Sequence, residues 1–315
     1  MRVLVTGGLG YLGSHVVQRL LAGGDEVVVF DAEIYPRMVS YPEHPGLHVV
    51  RGDLRAQELL ARTADGTDAV LHLAAIVGDE ACNLDPEGAV GVNYLTTRYL
   101  ASQCAAAQWP MIFTSTCSVY GAKGGEIRET DDVTPLSIYG MSKLAAEEAV
   151  RGSTPNSTVV RFGTLFGLSE RMRFDLVINR LIGQAMQDGR ISVFGGDQWR
   201  PFLHVQDAAD ALVKVLHNPK PGMYNLGGAN FRIREVAAEI ASQISCEVTT
   251  YSELKDRRTY YVNSDLAIEA FGVQFDRGIQ TAISEIESAV RGGKILDYRD
   301  PSFSNVAWLR KKAAG

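Results

Sequence analysis

Short apolar runs alternate with amphipathic stretches along the first half of the chain. RVLVT at 2–6, EVVVF at 26–30, LHVV at 47–50, AVLHLA at 69–74, MIFTS at 111–115 and TVVRF at 158–162 are four to six residues long and mostly β-branched or apolar. Unbroken runs of this kind predict strands buried on both faces, as in a parallel sheet covered by helices. Helix-period patterns occupy most of the gaps, at 11–22, 87–107 and 138–151. Strands alternating with helices imply right-handed crossovers, so the expected fold class is a doubly wound α/β parallel sheet of Rossmann type.

Beyond residue 164 the rhythm loosens. The pattern predicts helices at 174–188, 206–217, 232–243 and 278–291, a strand at 191–194 and a further apolar run, MYNLG, at 223–227. The expected organisation is a main domain over 1–164 and a smaller α/β substrate domain over 165–292, some of whose strands return to the main sheet. Residues 293–315 form a C-terminal extension with no assigned structure. In such folds ligands bind at the C-terminal edge of the sheet.

Composition narrows the function classes. The 315 residues are 46% hydrophobic and 22% charged, the ordinary balance of a soluble globular protein. A net charge of −6 without a long basic run argues against nucleic acid as a partner. No apolar run approaches the ~20 residues of a membrane span, and the chain starts on a strand pattern, so neither a membrane segment nor a signal peptide is expected. Cys82, Cys104, Cys117 and Cys246 are widely separated, which argues against disulfides and against a metal site and favours a cytoplasmic compartment.

Chemistry enters with VTGGLGYLGSH at 5–15. Gly7, Gly10 and Gly13 stand between the first strand and a helix, where glycine permits a tight turn and close approach of a pyrophosphate. Asp31 lies at the end of the second strand, 18 residues past Gly13. A carboxylate there accepts both adenosine-ribose hydroxyls and repels a 2′-phosphate, and no basic residue adjoins it in VFDAEIYP, so NAD is expected over NADP. In SIYGMSK at 137–143, Tyr139 and Lys143 lie one helical turn apart on one face.

Together these motifs resemble the extended short-chain dehydrogenase/reductase family, in its nucleotide-sugar epimerase/dehydratase branch, and sit closest to UDP-glucose 4-epimerase-like proteins. The resemblance runs from Arg2 to about Asp265. It implies NAD contacts from Gly7, Gly10, Tyr11 and Leu12 in the fingerprint, and from Asp53 and Leu54 in GDL. HLAA adds Leu73, Ala74 and Ala75, VNYLTT carries a structural Asn93, and RPFLHVQDAADAL (200–212) lies beside the bound nucleotide. It further implies that Thr116, in STCSVYG, acts with Tyr139 and Lys143, the last two also holding the cofactor. Lys143 would bond the ribose hydroxyls and lower the pKa of the phenol, leaving Tyr139 as a general base for a sugar hydroxyl while Thr116 shares the bond.

The resemblance also frames what is different. In the family's 4,6-dehydratases Asp-Glu follows the threonine; here Cys117 and Ser118 stand there, which disfavours 4,6-dehydration. Cys117 either acts as an acid or base in 3- or 5-epimerisation or is a buried filler. Asp79 and Glu80 either bond sugar hydroxyls or cap a helix beginning near Asp85. RMRFDL brings Arg171, Arg173 and Asp175 to the substrate entrance, and Arg200 and Arg258 are candidates for a diphosphate. The expected activity is 4-epimerisation of a nucleotide-diphosphate sugar in a homodimer paired through 87–107 and 138–151. The rivals are a ketoreductase or 3/5-epimerase of a keto-sugar and, in another class, a non-catalytic NAD-sensing scaffold.

Overall fold

Seven parallel strands form the central sheet of the computed structural model, which describes residues 1–36, 39–251, 253 and 258–314. Their order across the sheet is Gly222–Leu226, Ser157–Phe162, Met111–Thr116, Ala69–His72, Arg2–Thr6, Glu26–Asp31 and Leu47–Arg51. Arg2–Thr6 is flanked on one side by the second strand and on the other by the fourth. The strand order therefore reverses beside it, and the crevice that opens there is the ligand position of doubly wound sheets. The expected Rossmann-type α/β fold is the observed one. The apolar runs of the inner strands are wholly buried, as expected; Leu47–Arg51 is not, because as the edge strand it keeps one side toward solvent.

The later part of the chain builds a second hydrophobic cluster. Ile178, Leu181 and Ile182 from Val177–Asp188 pack with Val236 and Ile240 from Ile233–Gln243 and with Ile283 and Ile286 from Ile279–Arg291. Small sheets attach it to the main one. Trp199–His204 pairs with Thr164–Phe166 and Ala229–Arg232, whereas Gly222–Leu226 returns to the edge of the central sheet. Residues beyond 293 do have structure: a turn of 3₁₀ helix at Pro301–Phe303 leads into the helix Asn305–Ala314. The helical pattern at 87–107 is interrupted by a π-helical turn, Gly91–Leu95, between Pro86–Val90 and Thr96–Ala107. That turn presents Asn93, whose side-chain amide bonds both backbone groups of Ile76 (2.8 and 3.0 Å) and Ser142 Oγ (3.2 Å).

Helix Ile138–Ser153 is held to the sheet by a buried ion pair. Glu147 on its inner face receives two bonds from Arg161 of the neighbouring strand (2.6 and 3.0 Å) and one from Ser115 Oγ (2.5 Å). The guanidinium also lies 4.8 Å from the centre of the Tyr120 ring. Removing one partner from such a pair strands the other charge in the interior, at a cost of about 3–5 kcal/mol. Glu147→Ala should therefore lower the unfolding free energy by that order in urea titrations, while the double variant Glu147→Leu/Arg161→Met should regain most of the loss. An effect of Glu147→Ala below ~1 kcal/mol would contradict this assignment.

Candidate active site

A cavity of about 920 Å³ opens where the C-terminal ends of the sheet strands meet the second cluster. Its floor is the glycine turn. Gly7 has φ +73°, and a Cβ there would lie 2.8 Å from the Ala74 backbone nitrogen; at Gly13 a Cβ would overlap the Gly7 carbonyl. Only glycine lets this turn sit against the sheet and leave the head of helix Gly13–Ala22 open to the cavity. The Asp31 carboxylate closes one end, accepting from the backbone N–H groups of Leu9 (3.0 Å) and Glu33 (2.9 Å), with burial raising its pKa. These features fit a dinucleotide: close backbone approach for a diphosphate and a carboxylate for ribose hydroxyls.

The structure brings most of the sequence-derived residues to this one cavity. Gly7, Gly10, Tyr11, Leu12, Asp31, Asp53, Leu54, Leu73, Ala74 and Ala75 line it, as do Asp79, Thr116, Ser118, Tyr139, Lys143, Arg173, Asp175, Arg200 and Arg258. Several carry further duties. Tyr11 donates to the Gly167 carbonyl (2.6 Å) and accepts from Asn179 (3.1 Å), tying the fingerprint to the second cluster. Asp53 holds Arg55 (2.6 and 2.9 Å), whose bonds keep its carboxyl below the usual range. Arg258 donates to Asp79 (2.5 Å), and Arg200 donates to the carbonyls of Trp199 (2.8 Å) and Arg258. Asp79 opens the helix Asp79–Leu84 and accepts from Ser137 Oγ (2.7 Å); the cap of the next helix is Asp85 itself, bonding Gly88 N–H (2.9 Å).

Ser137 links this acid to the helix Ile138–Ser153. Its Oγ accepts from the Gly140 N–H (3.1 Å), capping the helix that carries Tyr139 and Lys143. Tyr139 bonds the Thr116 side chain. Thr116 ends its strand and also accepts from the Ser118 N–H (3.1 Å).

One expectation is corrected. Cys117 is not among the residues facing the cavity. It is buried in a separate cluster with Val119, Tyr120 and Tyr260, its thiol donates toward the Arg161 carbonyl (3.6 Å), and burial raises its pKa. The alternation of side chains past Thr116 turns it inward, so it is a filler here. Burial raises the Tyr139 pKa, and the Thr116 bond and the Arg173 guanidinium oppose it. Arg173, clamped by Asp175 in two bonds (2.8 and 2.9 Å), is thus a cation that favours the phenolate.

Lys143 is 2% exposed, with Nζ 4.1 Å from the centre of the Phe113 ring. Burial pulls its pKa down to about 7, against the attraction of Glu147. A folded-state pKa below the unfolded one means that the unfolded chain binds the extra proton between about pH 7 and 10.4, so this group makes stability rise with pH across that window. Without ligand, Lys143→Met should be more stable than the wild type near pH 7, and the stability rise between pH 7 and 10 should flatten. Urea titrations at several pH values check this; an unchanged pH slope would contradict it.

Some cavity residues carried no signal in the sequence. Asn305 and Arg310 come from the C-terminal helix, whose Trp308 Nε1 donates to the Ile34 carbonyl (3.0 Å) across the cavity mouth. Tyr35 and Arg171 face each other over the same region, ring centre to guanidinium 4.5 Å.

Comparison with known proteins agrees with this geometry. Residues 3–227 match the model of the NAD dependent epimerase/dehydratase family. The chain is 32% identical over 263 residues to UDP-glucose 4-epimerase of Azospirillum brasilense, covering 75% of each chain. It is 28% identical over 261 residues to UDP-glucuronic acid decarboxylase 4 of Arabidopsis thaliana, covering 78% of this chain and 57% of that one. Among solved structures, UDP-glucuronic acid 4-epimerase from Bacillus cereus, in complex with UDP-glucuronic acid and NAD, superposes with a TM-score of 0.82 at 27% identity, over 93% of this chain and 99% of that one. A glycine turn, a carboxylate at the end of the second strand and a Tyr–Lys helix around one cavity, on a chain with these relatives, identify an NAD-dependent enzyme that belongs to the NAD-dependent epimerase/dehydratase family.

Proposed function

We propose that the enzyme inverts the C4 hydroxyl of a nucleotide-diphosphate sugar through a transient 4-keto sugar. The observation that carries this reading is the meeting of Thr116, Tyr139 and Lys143 in the cavity whose other end holds the glycine turn and Asp31. NAD, when bound, supplies the acceptor and donor of a hydride. Tyr139 takes the hydroxyl proton and later returns it. Thr116 shares the bond to the phenol and guides the proton, and Lys143, buried against Phe113, reaches the ribose hydroxyls. Arg173 lowers the cost of the phenolate.

Arg200 and Arg258 stand on the substrate side, where guanidinium groups suit a diphosphate. The placement of Cys117 outside the cavity weighs against a 3- or 5-epimerase that relies on a thiol. We propose that the enzyme works in the cytoplasm, its cysteines unpaired, as a homodimer joined through Thr96–Ala107 and Ile138–Ser153. Leu95 and Met141, both about half exposed, supply apolar surface beside those helices.

Tyr139→Phe keeps ring volume and packing, so folding and NAD binding should change little. Turnover of UDP-glucose or UDP-glucuronic acid, followed by proton NMR, should fall by about 10²–10⁴. Near wild-type turnover would rule out Tyr139 as the base. Sedimentation at micromolar concentration should give twice the chain mass, and a monomer mass would refute the proposed pairing.

A further inference from the structure

Among the described residues, several buried polar atoms without a hydrogen-bond partner belong to residues that line this cavity. Tyr35 Oη, Arg171 Nη2, Arg180 Nε and Asn305 Oδ1 are all in this condition, and all four residues line the cavity. They come from the loop after Asp31, from the segment 171–180 and from the C-terminal helix. Buried polar groups in folded proteins are almost always paired, so unpaired ones on residues that line a cavity mark a place where a polar ligand would complete the bonding.

Arg171 is the strongest member. It is 4% exposed and its guanidinium carbon lies 4.5 Å from the centre of the Tyr35 ring. Its neighbour Arg173 has both carboxylate oxygens of Asp175, so two guanidiniums stand beside one carboxylate. Asp31 is near enough for the two charges to act on each other, but its hydrogen bonds come from the backbone of Leu9 and Glu33. Arg171 therefore has carboxylates within electrostatic reach, while its Nη2 has no hydrogen-bond acceptor among the described residues. Position decides which anion it awaits. Tyr35 lies four residues past Asp31, whose carboxylate accepts from the Leu9 N–H of the glycine turn, so Arg171, within reach of Asp31, stands near the head of helix Gly13–Ala22 as well.

We propose that Arg171 completes the cofactor site from the second-cluster side by donating to a diphosphate oxygen of the bound dinucleotide, with the Tyr35 ring holding its guanidinium in place. The inference rests on the reading of this cavity as the NAD site. The helix N-terminus and glycine turn then face one side of the diphosphate and Arg171 the other, a charge-assisted clamp that slows cofactor release. Slow release suits an enzyme that regenerates its cofactor in every cycle.

The test uses ligand-free protein, with binding measured by calorimetry and stability by thermal unfolding. Arg171→Met should leave the unfolding midpoint unchanged or higher, because an unpaired buried cation is removed. Its affinity for NAD and for ADP-ribose should fall tenfold or more, while affinity for adenosine and for UDP stays as in the wild type. Arg171→Lys keeps the charge but loses the fork, so it should lie between, and it carries the same comparison if the Met variant does not fold. A lower midpoint with unchanged NAD affinity would overturn the proposal and make Arg171 a packing residue on Tyr35. Loss of UDP affinity alone would overturn it by moving the contact to the sugar nucleotide. Failure of the wild type itself to bind NAD and ADP-ribose would instead sink the underlying reading of the cavity.

Discussion

The buried pair between Glu147 and Arg161 sets where the chemistry can happen. Arg161 belongs to a strand of the central sheet, Ser115 to the next strand, and Glu147 to the helix that carries Lys143 one turn and Tyr139 two turns earlier. With the helix locked at this depth, Lys143 has nowhere to go but over the Phe113 ring, and Tyr139 meets Thr116 at the end of its strand. The other end of the helix is fixed by Ser137, which caps it and bonds Asp79. Asp79 in turn holds Arg258. One chain of polar contacts thus runs from the interior of the sheet to the substrate side of the cavity.

That arrangement concentrates charges in places where water cannot screen them. Lys143 is buried beside a carboxylate already committed to Arg161, and Arg173 is committed to Asp175. Burial works against the charged forms of both Tyr139 and Lys143. Groups held so far from their ordinary pKa are expensive to maintain in a folded protein and are typical of catalytic sites. The glycine turn follows the same logic: side chains are excluded at Gly7 and Gly13 because the backbone must lie against the sheet.

Much of this was legible in the residues themselves. Apolar runs such as VLV and VVVF have one stable use at that length, and the glycines, Asp31 and the Tyr–Lys pair are tied to local geometry that short motifs record. What could not be read depended on contacts between distant segments. The inward turn of Cys117 follows from the packing of Tyr120, Tyr260 and Val262 around it, and no spacing reveals it. The influence of Arg173 on Tyr139 joins residues 34 positions apart. The C-terminal helix has only a faint apolar stripe, so its seat over the cavity depends on single contacts, Trp308 to Ile34 and the Asn305 N–H to Asp175 (3.0 Å).

The central claim is that hydrogen leaves and returns at C4 within this one cavity. It is tested most directly by incubating the enzyme with a nucleotide sugar deuterated at C4 in ordinary water and analysing the product by mass spectrometry and NMR. Retention of the deuterium at the inverted C4, with no solvent hydrogen at the neighbouring carbons and no loss of carbon dioxide, is the predicted result. Solvent hydrogen at C3 or C5, or release of carbon dioxide from a glucuronate substrate, would contradict it.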